Sequence, residues 1–317
     1  MNQTWGSIEQ YNTVVWHWPI AVYLFLAGLS AGAIISAIII KWMKGNESSP
    51  WDGIIKAGAL IAPLTIGAGL LLLIFDLTRP LHFWKLLIHY NFSSVMTLGV
   101  LALFAYFPVV LIFLLGVFKK ELCDEGPFGF LAPLANVAYS LARPLEIVTF
   151  VLAIGVGAYT GFLLSAMYSY PLLNTPILPL LFLASGISAG ISGNLLIGLL
   201  FFAKSTKSEN VGYLHGLDFK VILFEAFLLF ILFVGMHYQG GSTAEVAKAA
   251  LTTGGLASLF WLGVAGVGLA LPVVLNVALP HGIKHSSGFV MLNALIVLAG
   301  VMALRFYILY AGQTFVG

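Results

Sequence analysis

Charge is what this sequence most conspicuously lacks. Its 317 residues include only 14 Lys and Arg and 12 Asp and Glu, whereas 60% of the residues are hydrophobic. A soluble protein of this length needs a charged surface, which these residues are too few to supply. The net charge of +2 is also too small to favour binding to nucleic acid. We therefore predict an integral membrane protein, embedded in a lipid bilayer, with no nucleic-acid partner.

Cysteine is almost absent. The single cysteine, Cys123, lies in the polar segment KKELCDEG, and we interpret it as an incidental loop thiol. One thiol can neither form an internal disulfide nor hold an iron–sulfur cluster, which takes about four ligands. If the protein handles electrons, a partner or a bound small molecule must carry them.

Long apolar runs are abundant, and a helix needs about 20 apolar residues to cross a bilayer. The runs predict an all-α protein with eight transmembrane helices: 19–40, 54–77, 93–117, 144–167, 178–203, 219–238, 254–278 and 287–312. We call them spans 1 to 8.

The basic residues of the connections predict the orientation. Seven lysines follow odd-numbered spans: Lys41, Lys44, Lys119, Lys120, Lys204, Lys207 and Lys284. Only three lie on the other side: Arg79, Lys85 and Lys248. Cytoplasmic loops carry an excess of Lys and Arg, so the first set is predicted to be cytoplasmic and both termini periplasmic.

Two short motifs indicate an internal repeat. Span 1 contains FLAGLSAG at 25–32, and span 5 contains FLASGISAG at 182–190. An offset of four spans gives both halves the same orientation, and small residues allow close helix contact. We predict two four-helix bundles, with a division at 1–125 and 126–317. Chance similarity between Gly- and Ala-rich helices is the alternative.

Ionisable residues in the apolar spans each need a reason, since insertion costs about 2.5–3.5 kcal/mol. The predicted topology brings Tyr23, Asp76, Tyr159 and Arg305 to the outer half of the membrane, with His17 at the outer mouth of span 1. These residues are candidates for one site.

Ordinary structural roles are the alternatives. Asp76 and Arg79, three residues apart, would share a helix face and could form an ion pair at the helix end. Tyr23 could belong to the interfacial aromatic belt. Arg305 could pair with a carboxylate for structural reasons.

A second group of charges lies toward the cytoplasmic side. Asp218 just precedes span 6, and Glu225 lies about one turn beyond Lys220. Chains of carboxylates can carry protons through membranes, so these two could form the inner entrance of a proton route. The alternative is that they extend to the cytoplasmic surface. Glu146, three residues after Arg143, is interpreted as a structural ion pair.

The histidines argue against haem. A transmembrane b-type haem needs paired histidines within the apolar interior. Here they fall at span ends, in loops or in polar connections: His17, His82, His89, His215, His237, His281 and His285. We predict no haem and assign no metal ligands.

The segment WHWPIAVYLFLAGLSAGA, the Asp in LLIFDLTRP with HFW after it, and the eight-span layout resemble the polysulfide reductase membrane-anchor family, also called the NrfD or PsrC family. This resemblance implies a haem-free subunit of a bacterial inner-membrane complex that binds menaquinone or menaquinol near the periplasmic face. It also implies a four-cluster iron–sulfur partner, which passes electrons to a molybdopterin catalytic subunit that reduces polysulfide in anaerobic respiration.

Carried over by position, the resemblance implies that a first set of residues forms or borders the quinone pocket, some as catalytic groups: His17, Tyr23, Asp76, Arg79 and Tyr159. A second set is expected to handle protons or to have a structural role: Asp218, Glu225 and Arg305. Relatives serve nitrite, tetrathionate, sulfite or dimethyl sulfoxide enzymes, so the terminal acceptor stays open. The alternatives are a secondary transporter with two parallel repeats and an anchor without a redox site.

Overall fold

Helices account for the secondary structure. A computed structural model of the protein describes residues 16–44, 52–77, 79–88, 90–203, 208–280 and 286–315, and within these ranges it contains no strand. Within the described residues, eight helices are long and apolar enough to cross a membrane. They are Trp18–Lys44, Gly53–Asp76, Val95–Val117, Ala142–Ser165, Ile177–Phe201, Ser208–Gln239, Gly254–Ala278 and Ser287–Thr314. The prediction of eight spans is therefore confirmed. Six residues named above lie outside the described ranges: His89, Lys204, Lys207, His281, Lys284 and His285.

Span 6 differs most from its predicted bounds. It begins at Ser208 rather than 219, so Asp218 lies inside the helix and not before it. His215 is buried in the same helix, and the prediction that it lies in a polar connection is wrong. Span 7 contains a π-helical segment, Leu259–Ala270, between two α-helical ends.

Short helices connect several spans. A 3-10 helix, Pro80–Leu87, follows span 2, and the helix Gly241–Thr252 joins spans 6 and 7. Cys123 lies in the helical turn Lys119–Asp124 and is buried, so the predicted loop is instead a helical turn.

The spans pack in two sets of neighbours. Span 1 contacts spans 2 and 4, and span 3 contacts the same two helices. In the second half of the sequence, spans 5 and 7 each contact spans 6 and 8. Span 5 also contacts spans 1, 2 and 4, which makes spans 1 and 5 the main contact between the two sets.

Glycines bring the backbones of spans 1 and 5 into direct contact. A Cβ added at Gly190 would collide with the backbone of Gly32, and Gly28 lies against the Cα of Gly186. These four glycines belong to the two motifs that we interpreted as a repeat. No side chain larger than hydrogen fits at such a crossing.

Polar contacts join the helices at the end where span 1 finishes. Glu146 of span 4 is buried, and its carboxylate pairs with Lys41 and accepts a hydrogen bond from Trp42 Nε1 at 2.8 Å. Arg143 Nη1 lies 3.8 Å from the same carboxylate, as the sequence predicted. The buried Asp52 caps span 2 and accepts a hydrogen bond from Asn210 of span 6. These contacts fix the ends of both sets of helices.

Candidate functional site

Two tyrosines lie in the interior of spans 1 to 4. The Tyr23 ring is fully buried and packs against Gly69 of span 2. Glycine has no side chain that would occupy the space of the ring. Tyr159 of span 4 is partly buried and its ring packs directly on Gly99 of span 3. The two tyrosines are close enough to interact electrostatically. The alternative that Tyr23 belongs to an interfacial belt is wrong, since belt residues face the membrane surface.

A second layer of hydroxyl groups lies deeper in the same interior. Ser30 Oγ donates to the Ala62 carbonyl at 2.8 Å and lies 3.0 Å from the Tyr106 hydroxyl. A serine hydroxyl has one hydrogen, so the Tyr106 hydroxyl must be the donor to Ser30. Both side chains are buried.

The two layers lie on the same faces of spans 1, 2 and 3. Ser30 follows Tyr23 by seven residues, Ala62 precedes Gly69 by seven, and Tyr106 follows Gly99 by seven. Seven residues are two turns, so members of each pair share a helix face about 10.5 Å apart. Each of spans 1, 2 and 3 therefore contributes one residue to the tyrosine layer and one to the deeper hydroxyl layer.

Asp76 ends span 2, seven residues beyond Gly69 and on the same face. Its side chain is exposed, and so is His17, which lies one residue before span 1 begins. Among the described residues, the helix-end ion pair that we considered as an alternative is not formed. Arg79 lies beyond the end of the helix, where it precedes the short helix Pro80–Leu87, and it forms no ion pair with Asp76 among the described residues.

A separate polar cluster lies in spans 5 and 6. Asp218 is buried and accepts hydrogen bonds from Ser188 Oγ at 2.7 Å and Ser192 Oγ at 3.4 Å. Glu225 lies two turns further along span 6 on the same face and is also buried. The alternative that these carboxylates extend to the membrane surface is wrong, because burial keeps them inside the protein.

Arg305 of span 8 lies where the two sets of helices meet. Its Nη2 donates to the Phe182 carbonyl at 3.0 Å, and the guanidinium lies 3.8 Å from the centre of the Phe182 ring. Gly28 of span 1 leaves the space for that nitrogen. Nε and Nη1 are buried without a hydrogen-bond partner among the described residues. Glu225 interacts with Arg305 through its charge and forms no ion pair with it in the described part of the protein.

Sequence reasoning missed four hydroxyl-bearing residues that complete these clusters: Ser30, Tyr106, Ser188 and Ser192. Hydropathy does not single out serine within an apolar helix. The repeat contains a usable signal, because Ser30 and Ser188 occupy the same position in the two motifs.

The fold and its interior polar groups define a multi-pass, all-helical membrane protein with a polar site among its helices. The family model described as "Polysulphide reductase, NrfD" matches residues 6–317. The chain therefore belongs to the polysulphide reductase NrfD family, and the resemblance drawn from the sequence is confirmed.

Three curated relatives show how the family varies. The protein is similar to the C subunit of the polysulfide reductase of Wolinella succinogenes, at 98% identity over the whole of both sequences. It is 38% identical to protein NrfD of Escherichia coli over 99% of each sequence. It is 27% identical to the integral membrane subunit of an Hdr-like menaquinol oxidoreductase of Archaeoglobus fulgidus, over 96% of this sequence and 72% of that one.

Proposed function

We propose that this protein is the quinol-oxidising membrane subunit of a polysulfide reductase complex. The observation that carries the proposal is the Tyr23–Tyr159 pair, held on two glycines, with Asp76 and His17 at the outer end of the same helices. The close similarity to a polysulfide reductase C subunit, and the more distant similarity to a menaquinol oxidoreductase subunit, support it.

The residues fit a quinol chemically. A quinol, here menaquinol, supplies two electrons and two protons when it is oxidised. The Tyr23 and Tyr159 hydroxyls would hydrogen-bond its oxygens and orient it, because phenol groups can both donate and accept. Asp76 or His17 would take the protons, since both side chains are exposed and can release them to water. Arg79 would border the pocket.

Electrons would leave one at a time for a four-cluster iron–sulfur subunit and then a molybdopterin subunit that reduces polysulfide. Both partners would lie on the periplasmic side of the bacterial inner membrane. The same side is predicted for the termini of this protein, because the basic residues are in excess on the opposite face. Nitrite, tetrathionate or dimethyl sulfoxide as terminal acceptor is the alternative that the family resemblance leaves open.

We further propose that the protein is built from two four-helix bundles related by the internal repeat. Support comes from the Gly28–Gly186 and Gly32–Gly190 contacts, which join equivalent positions of the two motifs. The neighbour relations of spans 1 to 4 match those of spans 5 to 8. The first bundle would comprise spans 1 to 4 and extend to Ser165, rather than end at residue 125 as predicted from the sequence. It would contain the quinol site, and the second bundle would contain the buried charges.

The buried charges suggest a proton route from the cytoplasm toward the site. The charges follow one another from span 6 toward span 1. Glu225 interacts electrostatically with Asp218 on one side and Arg305 on the other, and Arg305 lies beside Gly28. Gly28 lies five residues beyond Tyr23 in span 1. We expect Glu225→Gln to preserve quinol oxidation in detergent but to abolish the membrane potential that turnover generates in proteoliposomes. A potential-sensitive dye measures the difference.

The control is Glu209→Gln, which removes an exposed carboxylate from the same span. It should leave both activities at the wild-type level. If Glu225→Gln retained both quinol oxidation and the membrane potential, the proton route would be wrong.

Co-purification tests the function as a whole. The protein isolated in mild detergent should retain an iron–sulfur protein and menaquinone, detected by mass spectrometry of the partners and extraction of the quinone. Isolation as a lone protein that moves solute across vesicles would instead support the transporter alternative.

A further inference from the structure

A groove lies on the lipid-facing side of the second half of the protein, away from the tyrosine pair. It has a volume of about 710 Å³ and runs between the last turns of span 6 and the connecting helix Gly241–Thr252. This volume falls within the range of about 300–1,000 Å³ that is usual for small-molecule sites. We call it the span 6 groove.

The walls of the groove are firmly held. Tyr307 Oη of span 8 donates to the Ala250 carbonyl at 3.1 Å, and Trp261 Nε1 of span 7 donates to the Leu251 carbonyl at 2.9 Å. Two neighbouring spans thus fix the backbone of the connecting helix, whose Val246, Ala247 and Ala250 are buried. The groove is a feature of the folded protein rather than a gap beside a loose connection.

The groove is amphipathic along its length. Phe230 and Val234 line its deeper part, and His237 lies about 10.5 Å from Phe230 along the helix axis, near the end of span 6. Glu245 and Lys248 also line the groove, are exposed, and lie one turn apart on the connecting helix. The apolar residues suit an acyl chain and the two charged residues suit a headgroup.

The two charges restrict the headgroup. In the described part of the protein neither Glu245 nor Lys248 forms an ion pair, although one turn of helix would allow them to meet. A lipid phosphate can accept from the Lys248 ammonium, and a lipid amine can donate to the Glu245 carboxylate. An anionic headgroup would satisfy the lysine and be repelled by the glutamate, and a neutral quinone ring would use neither charge.

We infer that the span 6 groove binds a zwitterionic phospholipid with a primary amine headgroup, that is, phosphatidylethanolamine. Its phosphate pairs with Lys248, its ammonium with Glu245, and one acyl chain lies along Phe230 and Val234. A choline headgroup binds less well because its quaternary nitrogen has no N–H to donate.

Native mass spectrometry of the intact complex, titrated with phosphatidylethanolamine, phosphatidylglycerol or phosphatidylcholine, tests the inference. The wild type should prefer phosphatidylethanolamine to both other lipids by about threefold, the scale of an exposed ion pair. Glu245→Gln should abolish that preference over phosphatidylglycerol, and Lys248→Gln should weaken binding of both lipids.

Lys85→Gln is the matched control, because it removes another basic side chain outside the spans, beside Trp84 and away from the groove. It should leave the lipid preference unchanged. The inference is overturned if the wild type shows no preference for the ethanolamine lipid, or if Glu245→Gln keeps it. It is also overturned if a menaquinone analogue displaces the bound phospholipid.

Discussion

Replacing Asp76 with asparagine is expected to leave the complex assembled and to lower quinol oxidation by about 100-fold or more, the usual contribution of a positioned proton acceptor. Asparagine would keep the shape of the side chain but lose its ability to take a proton. Asp76 is exposed at the end of span 2, two turns beyond the glycine that supports Tyr23. The side chain makes no ion pair within the described ranges, so the substitution should not disturb packing. Turnover with a soluble menaquinol analogue measures the effect.

The control is Asp124→Asn, which removes another exposed carboxylate, in the turn after span 3. Spans 2 and 3 run in opposite directions, so Asp124 lies at the other end of the protein from Asp76. Its loss should leave quinol oxidation at the wild-type rate. Normal turnover in Asp76→Asn would exclude this residue as the acceptor and leave His17 for that role.

Replacing Gly190 with leucine is expected to have the largest effect on folding. A Cβ at this position collides with the Gly32 backbone, which cannot move aside as a flexible side chain would. Spans 1 and 5 would have to separate, and the contacts around Arg305 depend on that crossing. Overpacking of a core already costs about 1–3 kcal/mol where side chains can adjust. We expect little folded protein, measured by size-exclusion chromatography and thermal unfolding in detergent.

Gly155→Leu is the matched control for that substitution. Gly155 lies in span 4, and no atom beyond the neighbouring backbone of its own helix lies within 4 Å of the position that a Cβ would take, so leucine would extend from the protein surface. The variant should fold and unfold like the wild type. Equal yields of folded Gly190→Leu and Gly155→Leu protein would contradict the close crossing of spans 1 and 5.

The eight spans and the family could be predicted because membrane helices leave a strong apolar signal and because the motifs around His17 and Asp76 are characteristic. The start of span 6 could not. Its first turns contain Glu209, Asn210, His215 and Asp218, which lower the local hydropathy although three of the four are buried. The burial of Asn210 and Asp218 is possible because Asp52, Ser188 and Ser192 provide hydrogen-bond partners, and a single segment of sequence does not reveal partners so distant.

The candidate site was predicted only in part. Composition and depth singled out Tyr23 and Tyr159, but their proximity depends on Gly69 and Gly99, two glycines among 34 in the sequence. Asp76 and Arg79 illustrate the opposite failure. Their spacing suggested a shared helix face, whereas the helix ends at Asp76. The end of a helix depends on the following connection, which spacing alone does not specify.

Binding of a fluorescent menaquinol analogue to the purified complex tests the central claim most directly. Tyr23→Phe and Tyr159→Phe should each weaken binding by about 2- to 10-fold, the equivalent of one lost hydrogen bond. Tyr307→Phe, which removes a tyrosine hydroxyl bonded to Ala250 in the other half of the protein, should bind like the wild type. Wild-type affinity in both Tyr23→Phe and Tyr159→Phe, or an equal loss in Tyr307→Phe, would contradict a quinol site between these two tyrosines.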